Sequence, residues 1–254
     1  MADDDGSRGV MIVTGGGRGI GASVSRLGAR RGYAIAVNFA GNEQAAQAIV
    51  DDIRALGARA IAVQADVARE HDVVRLFEAV ERKLGPPSVL VNNAGITGGF
   101  SRVADVSAEM LQQLFAVNVI GAFLCAREAV RRMSRQRGGG GGAIVNMSSR
   151  AATIGGAGEW VHYAASKGAI ETMTVGLARE VAAEGIRVNA VAAGLVETEL
   201  HAAAGEADRP RRLASGIPMG RPATTDEIAE AVLWFASPNA AYVTGAVLAV
   251  SGGR

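Results

Sequence analysis

The run Val10-Met11-Ile12-Val13-Thr14-Gly15-Gly16-Gly17-Arg18-Gly19-Ile20-Gly21 decides the fold. Val10–Thr14 reads as a short, mostly apolar buried strand. Glycines fill the turn that follows, and apolar residues return at helical spacing over Ile20–Arg31. Glycines at such a turn let the backbone approach a ligand that a Cβ would hold off. The helix start behind them presents free N–H groups and the positive end of its dipole, which suits a diphosphate. The spacing is Gly15-x3-Gly19-x-Gly21 rather than the G-x-G-x-x-G dinucleotide fingerprint, so a glycine turn without a ligand stays open on this stretch alone.

Outward from that turn, apolar strands alternate with longer helix-period segments. Ala34–Phe39, Ala58–Gln64, Ser88–Asn92, Ala143–Met147, Arg187–Val191 and Val247–Val250 read as further strands. Helices are expected over Glu43–Leu56, across Val73, Val74, Phe77, Val80 and Leu84, from Ser107 to about Arg135, over His162–Glu184 and over Thr225–Ala236. This alternation implies βαβ crossovers. The expected fold class is α/β: a single doubly wound parallel sheet, Rossmann-like, with helices on both faces. Residues 1–9 read as a flexible N-terminal segment and 10–254 as a single dinucleotide-binding and catalytic domain. The glycine run Gly138–Gly142 reads as a flexible surface connection. Val196–Pro218 breaks the alternation after the sixth strand, where a long insertion is expected to cover the ligand cleft.

Composition narrows the class further. Of 254 residues, 49% are hydrophobic and 20% charged, which excludes global disorder. A net charge of +1 gives no electrostatic case for nucleic acid or an acidic membrane. One cysteine, Cys125 in an apolar helical stretch, excludes an internal disulfide framework and reads as core. The acidic start Met1–Gly9 has no apolar stretch of the kind a secretory signal needs. No apolar run approaches the ~18 residues of a membrane helix. A soluble, cytoplasmic protein is expected. His71, His162 and His201 show no metal-ligand spacing, so no metal site is expected.

The end of the second strand bears on cofactor choice. A NAD site usually carries an acid there for the ribose 2′-hydroxyl. No acid lies between Ala22 and Asn42, and Phe39 and Ala40 stand where one is expected. Arg18 in the turn offers charge-assisted bonds to a 2′-phosphate. NADP(H) is therefore favoured over NAD(H), which stays possible.

Tyr163-Ala-Ala-Ser-Lys167 places a phenol and an ammonium one helical turn apart on one face. The chain has two lysines, Lys83 and Lys167, against 24 arginines, so lysine at this spacing stands out. A free phenol is a poor base near neutrality, and a nearby cation would lower its pKa towards the useful range. By spacing alone the pair also reads as an ordinary surface pair.

These pieces together give the chain a resemblance to the short-chain dehydrogenase/reductase family over essentially its whole length. The resemblance rests on an ordered set: Thr14–Gly21, Asp66 after the third strand, Asn92-Asn93-Ala94-Gly95 after the fourth, Asn118 in the long helical zone, Ser149 after the fifth, then Tyr163 and Lys167. It is strongest to the branch of 3-oxoacyl-carrier-protein reductases and glucose dehydrogenases. It implies that Tyr163 exchanges a proton with the substrate oxygen and Ser149 polarises that oxygen. Lys167 would bind the nicotinamide ribose and tune Tyr163, and Asn118 would hold a water towards Lys167. Gly15, Arg18, Gly19, Ile20, Gly21, Asp66, Val67, Asn93, Ala94, Gly95, Gly194, Val196 and Thr198 would bind cofactor, with Asp66 at the adenine and Thr198 at the carboxamide. A homo-oligomer, in particular a homotetramer, is implied as well. Two positions depart from the family pattern: Ala193-Gly194 stands where Pro-Gly is common, and Ser251-Gly252-Gly253 where Asp-Gly-Gly is common.

The function expected is a carbonyl reductase or alcohol dehydrogenase acting on a small molecule. Its rivals are a NAD-dependent sugar or alcohol dehydrogenase on the same site and a dinucleotide-binding regulator without turnover. Arg150, Glu159, Trp160, Leu200 and His201 are substrate-pocket candidates by adjacency. Arg127, Arg131, Arg132, Arg135 and Arg137 read either as a solvated helix end or as a dock for an acidic carrier protein.

Overall fold

The computed structural model describes residues 8–199, 205–206 and 208–254. Its strands are β1 (Val10–Val13), β2 (Ala34–Phe39), β3 (Ala60–Gln64), β4 (Pro87–Asn92), β5 (Gly142–Ser149), β6 (Ile186–Ala193) and β7 (Val247–Val250). The helices are α1 (Gly19–Arg30), α2 (Glu43–Ala55), α3 (Glu70–Leu84), α4 (Ala108–Phe115), α5 (Gly121–Met133), α6 (Ala151–Ile154), α7 (Val161–Val181), α8 (Arg209–Arg212) and α9 (Thr225–Ala236). The strands form one parallel sheet in the order β3-β2-β1-β4-β5-β6-β7. The chain reverses its direction of winding between β1 and β4, so their carboxyl ends flank the crevice where ligands bind in such sheets.

Strand alternation sorts the core into two layers. Met11, Val13, Ile35 and Val37 face α1, α2 and α9, while Val10, Ile12, Ala34 and Ala36 face α3, α5 and α7. Both sheet faces are thus buried by helices, as the apolar strands require. A buried polar chain crosses the second layer. Asn92 donates to Asn146 at 3.0 Å, and Asn146 donates to Thr174 at 2.9 Å, tying β4, β5 and α7 together beneath the crevice.

Several expectations change in detail. The helix expected from Ser107 to about Arg135 is two helices joined by a π turn over Ala116–Ile120, whose last bond runs from Gly121 N–H to Ala116 O. By length and composition, Ala108–Met133 contains an 18-residue window apolar enough to cross a membrane, with mean hydropathy 1.4, contrary to the expected absence of such a run. In the fold this stretch packs on β4, α3 and α7 and carries the buried Asn118 and Glu128.

The glycine run is no flexible connection. Gly142 opens β5, Gly139 N–H donates to Ser134 O at 2.8 Å, and Gly141 N–H donates to Met133 O at 2.7 Å. A Cβ at Gly139 or Gly142 would lie 2.3 Å from backbone oxygen, so nothing larger packs at those two positions, while Gly138 and Gly140 have open space.

The arginine cluster is largely neutralised. Arg127, Arg131 and Arg132 all pair with the buried Glu128, while Arg127 also meets Glu70 and Arg132 meets Glu81. Burial alone would raise the Glu128 carboxyl, but these arginines hold it below its ordinary value. An acidic dock loses three of its five charges, while Arg131, Arg135 and Arg137 stay exposed as a solvated helix end would.

Residues 1–7 of the segment expected to be flexible lie outside the described residues. Arg8 is already tied to the domain, its N–H donating to Gly32 O at 3.0 Å.

Candidate active site

The turn after β1 is built by its own polar neighbours. Thr14 is buried, and its hydroxyl accepts from Asn93 N–H at 2.9 Å and Ala94 N–H at 3.0 Å. Asn93 returns two bonds through Nδ2, to Thr14 O at 2.9 Å and Gly15 O at 3.1 Å. The loops after β1 and β4 are thereby clasped across the crevice. Asn38, at the end of β2, adds a third fastening: its Oδ1 accepts from Gly15 N–H at 3.3 Å and its Nδ2 donates to Ala65 O at 2.9 Å.

Behind the clasp, α1 starts without a side-chain cap and without an acid in its first turn. Its N–H groups and dipole are left for an anion. Gly19 has φ +51, and a Cβ there would stand in the gap towards Thr198, 3.6 Å from its Cγ2. A dinucleotide diphosphate fits this cradle.

One cavity of about 870 Å³ runs from this turn to the end of β5. Gly15, Arg18, Gly19, Ile20, Asp66, Val67, Asn93, Ala94, Gly95, Gly194, Val196 and Thr198 all lie on its wall, with Ser149, Tyr163 and Lys167. Gly21 and Asn118 are not on that wall. Gly21 packs behind the turn, where a Cβ would lie 2.4 Å from Gly15 O and 2.6 Å from Asn93 Nδ2. The Asn118 side chain is spent on the β4 loop. Its Oδ1 accepts from Ile96 N–H at 2.8 Å, and its Nδ2 donates to Ile96 O at 2.8 Å and Ser166 Oγ at 3.0 Å. The expected water-holding role thus loses both Asn118 side-chain N–H groups, and positioning of the loop is what the side chain visibly does. Asp66 accepts from Ala68 N–H at 3.0 Å, which shapes the turn after β3.

The serine pair separates by partner. Ser148 donates to Glu171 at 2.8 Å, under the cavity floor. Ser149 opens onto the cavity and accepts from Ala151 N–H at 3.1 Å. Lys167 donates to Met147 O at 2.8 Å, and its Nζ lies 5.7 Å from the Tyr163 ring centroid. The lysine does not bring the phenol down here, contrary to expectation. Burial pushes Tyr163 up to about 12, with Ser149 opposing, and burial pushes Lys167 down to about 8. The site holds a neutral phenol, the form that donates a proton.

Arg150, Glu159 and Trp160 line the cavity as expected, while Leu200 and His201 lie outside the described residues. The described part of the 196–218 insertion contributes Val196, Thr198, Glu199, Arg209 and Leu213 to the same wall, as a covering segment would. Sequence reasoning missed Asn38, Phe100 and Arg209. Asn38 is one polar residue in an otherwise apolar strand, a signal that was present. Phe100 and Arg209 sit in irregular segments where no periodicity marks them.

No acid follows β2 on the wall, where Asn38, Phe39, Ala40, Gly41 and Asn42 stand. Arg18 reaches across the turn to Glu199 at 3.4 Å in an exposed pair. Among the described residues, no group of three or more His, Cys, Asp or Glu could hold a metal ion.

A family model described as enoyl-(acyl carrier protein) reductase matches residues 15–254. The uncharacterized oxidoreductase YgfF of Escherichia coli K12 is 47% identical over 245 residues, covering 96% of this chain and 99% of that protein. The 3-oxoacyl-[acyl-carrier-protein] reductase FabG of Staphylococcus aureus is 37% identical over 242 residues, covering 95% and 96%. A solved short-chain dehydrogenase of Burkholderia cenocepacia, in complex with NADP, superposes with a TM-score of 0.88 at 32% identity over 96% of each chain.

Proposed function

Because the chain belongs to the short-chain dehydrogenase/reductase family of oxidoreductases, we propose that it reduces a carbonyl, or oxidises the matching alcohol, using NADP(H). The observation that carries this reading is the meeting of Ser149, Tyr163 and Lys167 on one cavity wall with the uncapped start of α1. When bound, the dinucleotide supplies the hydride. Gly15, Gly19 and the first N–H groups of α1 would hold its diphosphate, and Lys167 its nicotinamide ribose.

Tyr163 donates its phenolic proton to the carbonyl oxygen as that oxygen gains negative charge. Ser149 hydrogen-bonds the same oxygen and holds it at the phenol. Lys167, charged below about pH 8, would hold the nicotinamide ribose with its ammonium rather than tune the phenol. Asn118 keeps the β4 loop against α7 so that these groups stay in register. Side-by-side absorbance assays with NADPH and NADH against a carbonyl panel test the reading. Oxidation of neither cofactor over a broad panel would overturn it in favour of a binding-only protein.

The pH dependence follows from the two shifts. The phenol stays protonated to about 12, so it does not limit reduction at neutral pH. The ammonium loses its charge as pH rises through about 8. The kcat/KM profile for reduction reports free-enzyme groups, so it should be level below pH 8 and fall above it. A profile level to pH 10 would remove Lys167 from this role.

NADP(H) is supported by the acid-free end of β2 and by Arg18 on the wall of the same cavity. Arg18→Ala should weaken NADPH binding by roughly tenfold while changing NADH binding much less, since the charge-assisted bonds lost are those to the 2′-phosphate. Equal weakening of both in a fluorescence titration would limit Arg18 to shaping the turn.

A homo-oligomer is supported by exposed apolar side chains in two regions, Ile120 and Phe123 around the start of α5, and Trp234, Val247 and Leu248 on α9 and the edge strand β7. Two self-complementary faces suffice for a tetramer; a monomeric mass by light scattering would rule it out.

A further inference from the structure

We propose that the substrate is an oxo acid, a compound bearing a carboxylate near the carbonyl presented to Tyr163, and that Arg209 selects it. The proposal rests on the carbonyl-reduction reading for the placement of the carbonyl alone. Arg209 is 7% exposed and lies on the cavity wall. Its guanidinium sits 4.4 Å from the Trp160 ring centroid and 5.6 Å from that of Phe100. Trp160 in turn meets Tyr163 edge-on at 5.7 Å between centroids, so one indole separates the cation from the phenol.

The guanidinium is only partly satisfied. Its Nη2 pairs with Glu159, whose side chain is 40% exposed and therefore screened by water. Its Nε is buried and has no hydrogen-bond partner among the described residues. Leaving a charged N–H buried and unpaired is costly, and aromatic faces do not replace an acceptor. A substrate carboxylate supplies an ionised acceptor for that N–H, the stronger kind of hydrogen bond.

Charge around the site agrees. At this end of the cavity the side chains of Arg150, Arg209 and Arg254 face one acid, Glu159. Arg150 spends its Nε on Arg254 O at 2.8 Å, which leaves Arg209 as the arginine with an orphaned donor. A purely apolar ketone or a neutral sugar would leave the buried Arg209 Nε without a charged acceptor.

The test is calorimetric titration of the Tyr163→Phe protein, with and without NADPH, so that binding is read apart from turnover. The probes are benzoylformate, 4-oxo-4-phenylbutanoate and the methyl ester of each. At least one acid should bind tighter than its own ester by roughly tenfold or more, a typical return for one added charge-assisted bond. Adding Arg209→Met should bring that ratio close to one, while Arg209→Lys, which keeps the charge but not the fork, should retain part of it. Esters binding as well as acids in both pairs would overturn the proposal. So would an acid preference that survives Arg209→Met. Turnover of the same four compounds by the unmodified protein is a separate readout. Acids that bind but are never reduced would sink carbonyl reduction and leave the acid site standing.

Discussion

Tyr163→Phe is expected to lower kcat for carbonyl reduction by roughly 10²–10⁴-fold, the range a single positioned proton donor supplies. The substitution removes one oxygen and little else. The ring keeps its edge contact with Trp160, and Lys167 keeps its bond to Met147 O. NADPH affinity should therefore stay within about twofold, which separates a lost transition-state interaction from lost binding. The phenol is buried and neutral, so no pH adjustment should rescue the variant. Rates compared at saturating NADPH decide the matter: near-normal turnover would remove Tyr163 from the chemistry.

Gly21→Ala should have the second largest effect, although the residue does not line the cavity. Its new Cβ would lie 2.4 Å from Gly15 O, 2.6 Å from Asn93 Nδ2 and 3.0 Å from Gly16 Cα. None of these can yield cheaply. Gly15 O and Asn93 Nδ2 are bonded to each other, and Asn93 is the clasp between the β1 and β4 loops. Overpacking of this kind costs about 1–3 kcal/mol, which corresponds to roughly 10–100-fold in NADPH affinity if it falls on the turn. Gly176→Ala is the control, because that helical glycine has nothing within 4 Å of an added Cβ. It should leave binding alone and add a few tenths of a kcal/mol to about 1 kcal/mol of stability. Equal NADPH dissociation constants for the two variants would show that the turn tolerates a displacement the packing says it cannot.

The sheet and its crevice were legible because each strand carries an apolar run and each crossover a helical period. The candidate site was legible because Ser149, Tyr163 and Lys167 occur in order, at spacings that this fold brings onto one cavity wall. What escaped detection depended on partners far away in sequence. Nothing local to Glu128 says that three arginines and two further acids converge on its helix face. Nothing in Gly138–Gly142 distinguishes a loose connection from a segment wedged against Met133 and Ser88. The Tyr163 shift reversed its expected sign for a related reason. Spacing placed the ammonium close by, but it could not say that Nζ turns to Met147 O or that burial outweighs it. Arg209 was hidden because an irregular insertion has no period, and only three-dimensional contact shows it lying across Trp160.

The near-absence of lysine turns the cavity into something a reagent can count. To an amine-acylating compound the folded chain offers two side-chain targets. Lys83 is exposed at the end of α3, while Lys167 is 5% exposed and held down to about 8. Near pH 8 a substantial share of Lys167 is the free amine, the nucleophilic form, and the access to it runs through the cavity. Label on Lys83 then measures reagent dose, and label on Lys167 measures how much of the cavity stands open, so the ratio of two tagged peptides becomes an occupancy gauge that requires no catalytic turnover.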